Sequence, residues 1–398
     1  MDASTARLIT SPEGLSRLAS LPPYDATSAL GLGQSLRDRG VSPELVAAVM
    51  TQSRLRAAAV PKFGDFAAGM LFTPEGLEQA TRLPVAARHA QRFRDAGLST
   101  IADLTCGIGA DAMAASALGL AVMAFEIDEP TALIADHNLR HWPDTVVVHA
   151  DALAVVRTTD VGGAFADPAR RTARGRRHDP KDYTPSLDAV LELRDSIPAL
   201  GVKVGPSIPH EAIPADVHAE WVSVDGSVVE AALWCGPLAS APAGSTPRHS
   251  ALVIDGNRAT TLTGSTDRAP VGELEEYIYE PDGAVIRAGL VGEVAHSING
   301  HLIDATIAYV TAPHVVATPF ATGYRVLETL PYSVKRLTAA LRERGVGRVD
   351  IKKRGIAITP EQLRPQLKLR GDAHATVIVT RQAGRHVALI VEPLPRGD

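Results

Sequence analysis

Apolar and polar positions along the chain fall into three regimes. Up to about residue 95 the period is helical: Leu45, Val46, Val49, Met50 and Leu55 lie near one helical face. Ser11-Pro12-Glu13, Ser42-Pro43-Glu44 and Thr73-Pro74-Glu75 each set a hydroxyl cap before a proline at the first helical position. From Leu98 to about Gly264 short apolar runs alternate with helical stretches, with strands expected at 101–103, 121–125, 145–149, 163–166 and 200–204. The runs 220–224 and 228–233, joined by Asp225-Gly226-Ser227, read as a hairpin, and 250–254 as one more strand. After about Arg268 the order becomes helix (333–343), strand (348–351), helix (capped by Thr359-Pro360-Glu361), then a closing hairpin of 375–380 with 386–391. The pattern predicts an α/β protein of three domains: a helical one over 1–95, a parallel-sheet one over 96–265 and an α+β one over 266–398.

The stretch IADLTCGIGAD, Ile101 to Asp111, is where candidate chemistry begins. An apolar strand runs into a turn with Gly107 and Gly109 and then into a helix, so backbone N–H groups at the helix start point at whatever approaches the turn. Asp103 adds a carboxylate, which repels a pyrophosphate and suits an ammonium. The expected ligand is therefore S-adenosylmethionine rather than a dinucleotide. Glu126 follows Gly107 by 19 residues, at the end of the second strand, where an acid suits a ribose diol. Asp151, after the third strand, suits an adenine amino group. The fourth strand ends in Asp167-Pro168-Ala169-Arg170. In an open parallel sheet the ligand sits at the carboxyl edge of the strands, so these four acids converge on one crevice. The expected cofactor set is Asp103, Thr105, Cys106, Gly107, Gly109, Glu126, Ile127, Asp151 and Ala152, and the expected catalytic set is Asp167, Pro168 and Arg170. Asp128 reads as a helix cap before Glu129-Pro130, and Cys106 as a small packing residue.

The successive motifs DLTCGIG, FEID, HADAL and DPAR resemble those of class I S-adenosylmethionine-dependent methyltransferases. The resemblance implies a Rossmann-like sheet closed by a terminal antiparallel hairpin, which the hairpin at 220–233 suits and the plain dinucleotide fold lacks. The C-terminal third resembles the THUMP-like domain attached to a bacterial methyltransferase family, through EYIYEPDGAVIRAGLV (276–291) and VDIKKRGIAITPEQLRPQLKL (349–369), together with FTPEGLEQAT at 72–81. Trimethylguanosine-synthase-like enzymes, whose cofactor turn has the form D-x-x-C-G-x-G, are among its relatives. THUMP domains proper bind RNA, which implies an RNA acceptor. In N-methyltransferases an Asp-Pro-Pro-aromatic motif accepts hydrogens from the target amine and stacks on the base; here Asp167 and Pro168 are kept, while Ala169 and Arg170 replace the rest. A guanidinium plane stacks on a base or pairs with phosphate.

Charge narrows the partner. Forty Lys and Arg against 45 Asp and Glu give a net charge of −5, so any nucleic-acid footprint must be local. Residues 335–370, bounded by Lys335 and Arg370, carry eleven Lys or Arg against three acids, and Lys352, Lys353 and Arg354 are the expected phosphate anchors. The loop 170–181, opened by Arg170 and closed by Lys181, holds six more bases and borders the expected methyl-transfer site. The N-terminal helices read as a structural lid, with Lys62, Arg82, Arg88 and Arg92 as the alternative of a substrate contact. Two cysteines are too few for a disulfide framework or a zinc site, and no i, i+4 metal pair of histidines is expected on a helix, so no metal is expected. With no signal peptide and no window of about 18 apolar residues, a cytoplasmic protein without membrane contact is expected. Two other classes fit the same turn: a nucleotide-cofactor dehydrogenase, since Gly107-x-Gly109-x-x-Ala112 matches G-x-G-x-x-A, and a non-catalytic RNA-binding scaffold.

Overall fold

Helix starts follow the caps read from the sequence. Ser11, Ser42 and Thr73 accept from the backbone N–H of Gly14, Leu45 and Gly76, opening helices Pro12–Ala19, Pro43–Phe63 and Pro74–Gln79. The computed structural model describes residues 1–169, 171–172, 175–176, 182–239 and 249–395. By its internal packing the chain forms two units, one of Met1–Val217 with Ala232–Ser240, the other of His218–Ala231 with Ala241–Asp398.

The first unit is built on five parallel strands: β1 (Thr100–Asp103), β2 (Ala121–Glu126), β3 (Thr145–His149), β4 (Gly163–Ala166) and β5 (Leu200–Val204), in the order β5-β4-β1-β2-β3. Register brings Asp103 beside Ala124 and Phe165, Glu126 beside His149, and Ala166 beside Val202. The carboxyl ends therefore line up on one edge, which is what carries the acids of the motifs to a common place. One apolar core runs from Ile9 of the N-terminal helices through Val49, Phe72, Ile108 and Ala124 to Leu238. The first helices thus share their core with the sheet, although the change of period near residue 95 marks a limit in the sequence. Two buried amides hold the link between them. Gln52 exchanges hydrogen bonds with the backbone of Phe72 (2.7 and 2.9 Å), and Asn138 does the same with Leu71 (2.8 and 2.9 Å) while also donating to the Ile108 carbonyl. This segment delivers Thr73 and the short helix after it to the cofactor turn.

In the second unit strand His249–Asp255 pairs in parallel with His218–Val224 and antiparallel with Arg258–Thr263. Helix Gly283–Ala288 packs on the first two, so the limit expected near residue 265 falls inside this unit. After Asp282 come two helices, Gly283–Ala288 and Val291–Ser297, separated because Gly289 ends the first in a left-handed conformation. A seven-stranded sheet follows, ending in Ala321–Pro331, Arg385–Pro393, Ala373–Gln382 and Val346–Lys353, the last pair parallel. Leu337 and Leu341 of helix Val334–Glu343 and Leu363 and Leu367 of helix Pro360–Leu367 are buried with Val377, Val379 and Ile390 of the sheet. The order helix, strand, helix, strand, strand is the one read from the sequence. No described helix is long and apolar enough to cross a membrane.

Candidate active site

The turn after β1 is stitched to its neighbours residue by residue. Leu104 N–H donates to the Phe165 carbonyl, the Thr105 hydroxyl accepts from Asp167 N–H, Cys106 N–H donates to the Phe125 carbonyl, and Gly107 N–H donates to Glu126 Oε2 at 3.0 Å. Gly107 has φ +56°, and a Cβ there would meet no atom of the described residues within 4 Å, so among them the turn is bare on its outer side. That side opens into a cavity of about 750 Å³. The wall includes Thr105, Cys106, Gly107, Glu126, Ile127, Asp151, Ala152 and Asp167, so most of the sequence-expected set meets in one place.

The exceptions are instructive. Asp103 is 3% exposed and is not in the wall; one carboxylate oxygen accepts from Thr105 N–H at 3.3 Å and the other has no hydrogen-bond partner among the described residues. Burial, reinforced by Asp111, pushes this carboxyl well above the usual range. Gly109, φ +89°, opens helix Ala110–Ala117 and faces Leu139 rather than the cavity. Pro168 is likewise not part of the wall, and Arg170 lies outside the described residues, as does most of the loop 170–181. Glu126 also accepts from Asp128 N–H at 2.9 Å; burial raises its carboxyl while these two backbone donors oppose the rise. Asp151 caps Leu153 N–H, Asp128 caps Thr131, and burial pushes the Cys106 thiol well up, as suits a packing residue.

Other residues at or behind the wall were not expected at the site from the sequence. Thr73, Gly76 and Thr81 come from the FTPEGLEQAT stretch, with a Gly76 Cβ position only 2.4 Å from Ile108 Cγ2, so no larger residue allows that helix to lie on the turn. Asp111 takes a hydrogen bond from His89 Nδ1 at 2.8 Å; burial raises its carboxyl, but His89, Lys203 and Thr81 together outweigh burial and the group sits below the usual range. Lys203, from β5, reaches Asp167. The signal available for it was a lysine inside the apolar run LGVKV. Two of the four N-terminal cations, Lys62 and Arg92, are engaged within their own unit. Lys62 donates to the carbonyls of Leu77, Glu78 and Ala80, with burial bringing its amine down to about 8, and Arg92 donates to the Leu238 carbonyl while lying 5.0 Å from the Trp234 ring. Among the described residues no group of three or more His, Cys, Asp or Glu is arranged to hold a metal.

Known proteins place this geometry. A curated relative from Mycobacterium tuberculosis, recorded in strains H37Rv and CDC 1551 as an uncharacterized S-adenosylmethionine-dependent methyltransferase, is 34% identical over 339 residues, covering 82% of this chain and 90% of the relative. The chain belongs to the S-adenosylmethionine-dependent methyltransferases. Residues 321–393 of the methyltransferase match the family described as THUMP domain-like, and residues 2–59 match a domain of unknown function (DUF8688). A provisionally named methyltransferase from Porphyromonas gingivalis W83 has the same fold, with a TM-score of 0.74 over 94% of this chain and 100% of that one at 20% identity. The chain is thus an S-adenosylmethionine-using enzyme with a class I methyltransferase fold and a THUMP-like C-terminal domain, and the dehydrogenase reading falls away.

Within the second unit the expected phosphate anchors are partly engaged elsewhere. Lys352 Nζ lies 2.7 Å from Glu280 Oε2 and Arg354 3.6 Å from Glu280 Oε1, so two of the three cations face a carboxylate of their own sheet. Burial lowers the Lys352 amine, but Glu280 more than offsets this. Exposed cations stand nearby in the sequence instead. Arg348, Arg364 and Lys368, with Asp350 and His374, border a groove of about 800 Å³.

Proposed function

We propose that this methyltransferase acts on RNA, with Asp167 beside the acceptor atom. Glu126 holds the ribose of the cofactor, Asp151 its adenine end, and the backbone of Thr105, Cys106 and Gly107 its amino-acid arm, with Ile127 and Ala152 as apolar walls. Asp103 supports the turn from beneath. The bare outer face of Gly107, the Glu126 carboxylate in the wall and the size of the cavity all suit a nucleoside with an amino-acid tail. The bound cofactor supplies an electrophilic methyl group on a sulfonium. The chain's part in such a displacement is chiefly placement: a carboxylate that accepts hydrogen from the nucleophile and a wall that keeps the partners in line.

The observation that carries the RNA reading is the charge of residues 335–370, eleven Lys or Arg against three acids in a chain of net charge −5, in the THUMP-like part. With Lys352 and Arg354 facing Glu280, phosphate binding is assigned to Arg348, Arg364 and Lys368. Cations crowded on one face at a cost in mutual repulsion suit a polyanion. Mass spectrometry of nucleosides from RNA of cells with and without the protein tests this directly: one methylated nucleoside should disappear with the protein and return when purified protein and cofactor are added to the undermodified RNA. An unchanged nucleoside profile would remove RNA as the acceptor.

A further inference from the structure

Lys203 sits in a strand whose five residues are all buried, and its side chain is 5% exposed. An ammonium there is costly unless it is paired and hydrogen-bonded. Its Nζ donates to Asp167 Oδ2 at 2.6 Å and to Thr81 Oγ1 at 2.9 Å. The Asp167 backbone is held in turn, its N–H donating to Thr105 Oγ1 at 2.6 Å. Yet the Asp167 side chain keeps 25% exposure and stands in the cavity wall beside Thr81. Main chain and carboxylate are thus both gripped from the protein side while the group still faces the cavity.

We propose that Lys203 is a positioning residue for methyl transfer: it fixes the orientation of the Asp167 carboxylate toward the acceptor, and through Thr81 it makes that orientation depend on the segment following helix Pro74–Gln79. The inference rests on the role given to Asp167 above. An aspartate side chain has two torsions, and one short charge-assisted bond at Oδ2 leaves it a single setting. A pair needed only for packing is commonly replaceable by apolar side chains without loss; here the pair lies where the substrate must come. Other charges bear on it: Asp103 feels Asp167, Asp111 and Lys62 feel Lys203, and Asp111 is itself held by His89.

The test compares Lys203→Met, Lys203→Arg, Thr81→Val and Asp167→Ala with the parent. Two quantities are read: affinity for S-adenosylhomocysteine by calorimetry, and transfer of labelled methyl into a desalted extract of cells lacking the protein, with and without ribonuclease, from pH 5.5 to 9. Lys203→Met should lower the rate at saturating cofactor by about tenfold or more with cofactor affinity within about threefold, the pattern of an interaction felt at the barrier. The acid limb of its pH profile should move upward, because a carboxylate without its ammonium holds a proton more tightly. Lys203→Arg, which keeps the charge, should recover part of the rate, and Thr81→Val should lose a few fold. A parental rate and pH profile in Lys203→Met, or in Thr81→Val should the first variant not fold, overturns the proposal. If Asp167→Ala keeps the parental rate, the role of Asp167 fails instead, and labelling that survives ribonuclease removes RNA while leaving the Lys203 comparison readable.

Discussion

The floor of the cofactor cavity and the THUMP-like part use charge in opposite ways. Around the cavity several buried or half-buried ionisable groups have close partners: Asp111 has His89, Asp167 has Lys203, and Glu126 has two backbone donors. In residues 335–370 most cations are exposed, and Lys335, Arg336, Arg348, Arg364, Lys368 and Arg370 stand open on the surface of their unit. Removing a buried group strands its partner in a poor solvent, whereas removing an exposed one changes a field that water and salt already screen. A residue's type says little about its worth; its surroundings decide. Glu280 makes the same point within the second unit, since it takes up two of the cations that sequence crowding marks for phosphate.

The sharpest way to break the contrast is Glu126→Ala. If Glu126 receives the ribose as proposed, losing the carboxylate that also braces Gly107 should weaken S-adenosylhomocysteine binding more than tenfold, roughly 1.5–3 kcal/mol. Calorimetry giving an unchanged affinity would take Glu126 out of the cofactor site.

A smaller effect of opposite sign is expected at Asp103. Its folded-state carboxyl is raised by burial, so the folded protein holds a proton that the unfolded chain releases, and stability falls as pH rises from the ordinary carboxylate range toward the raised value. Asp103→Asn should therefore stabilise the cofactor-free protein by about 1 kcal/mol at pH 8, with the gain fading toward pH 4, in urea melts at the two pH values. If cofactor affinity drops along with this change, Asp103 meets the cofactor's ammonium after all, and its place beneath the turn is not its whole role.

Least per residue should come from the open cations. Single changes at Arg348, Arg364 or Lys368 should move folding stability by less than about 0.5 kcal/mol. The three alanines together should flatten the dependence of log affinity for RNA on log salt by about 2, at roughly 0.7–0.9 for each phosphate that is no longer neutralised. Filter binding across a salt series reads the slope, and a slope equal to the parent's would place RNA elsewhere on the molecule.

Much of this protein is legible in its sequence. Hydroxyl-Pro-Glu starts, alternating apolar runs, the acids after β2, β3 and β4, and the helix-strand-helix-strand-strand ending are local signals, written within a few residues each, because caps and periodicity act over one or two turns of chain. They sufficed for the class I methyltransferase fold and for eight residues of the cavity wall. What the tertiary structure alone decided is pairing at a distance. Lys203 meets Asp167 across 36 positions and Thr81 across 122, and Asn138 holds Leu71 across 67. Asp103 and Gly109 carry the motif's letters yet lie beneath the turn, since side-chain direction at a strand end depends on what packs above and below it. Such pairings arise only once the sheet has brought distant segments to one edge, where burial makes an unpaired charge costly and so selects which groups must face each other.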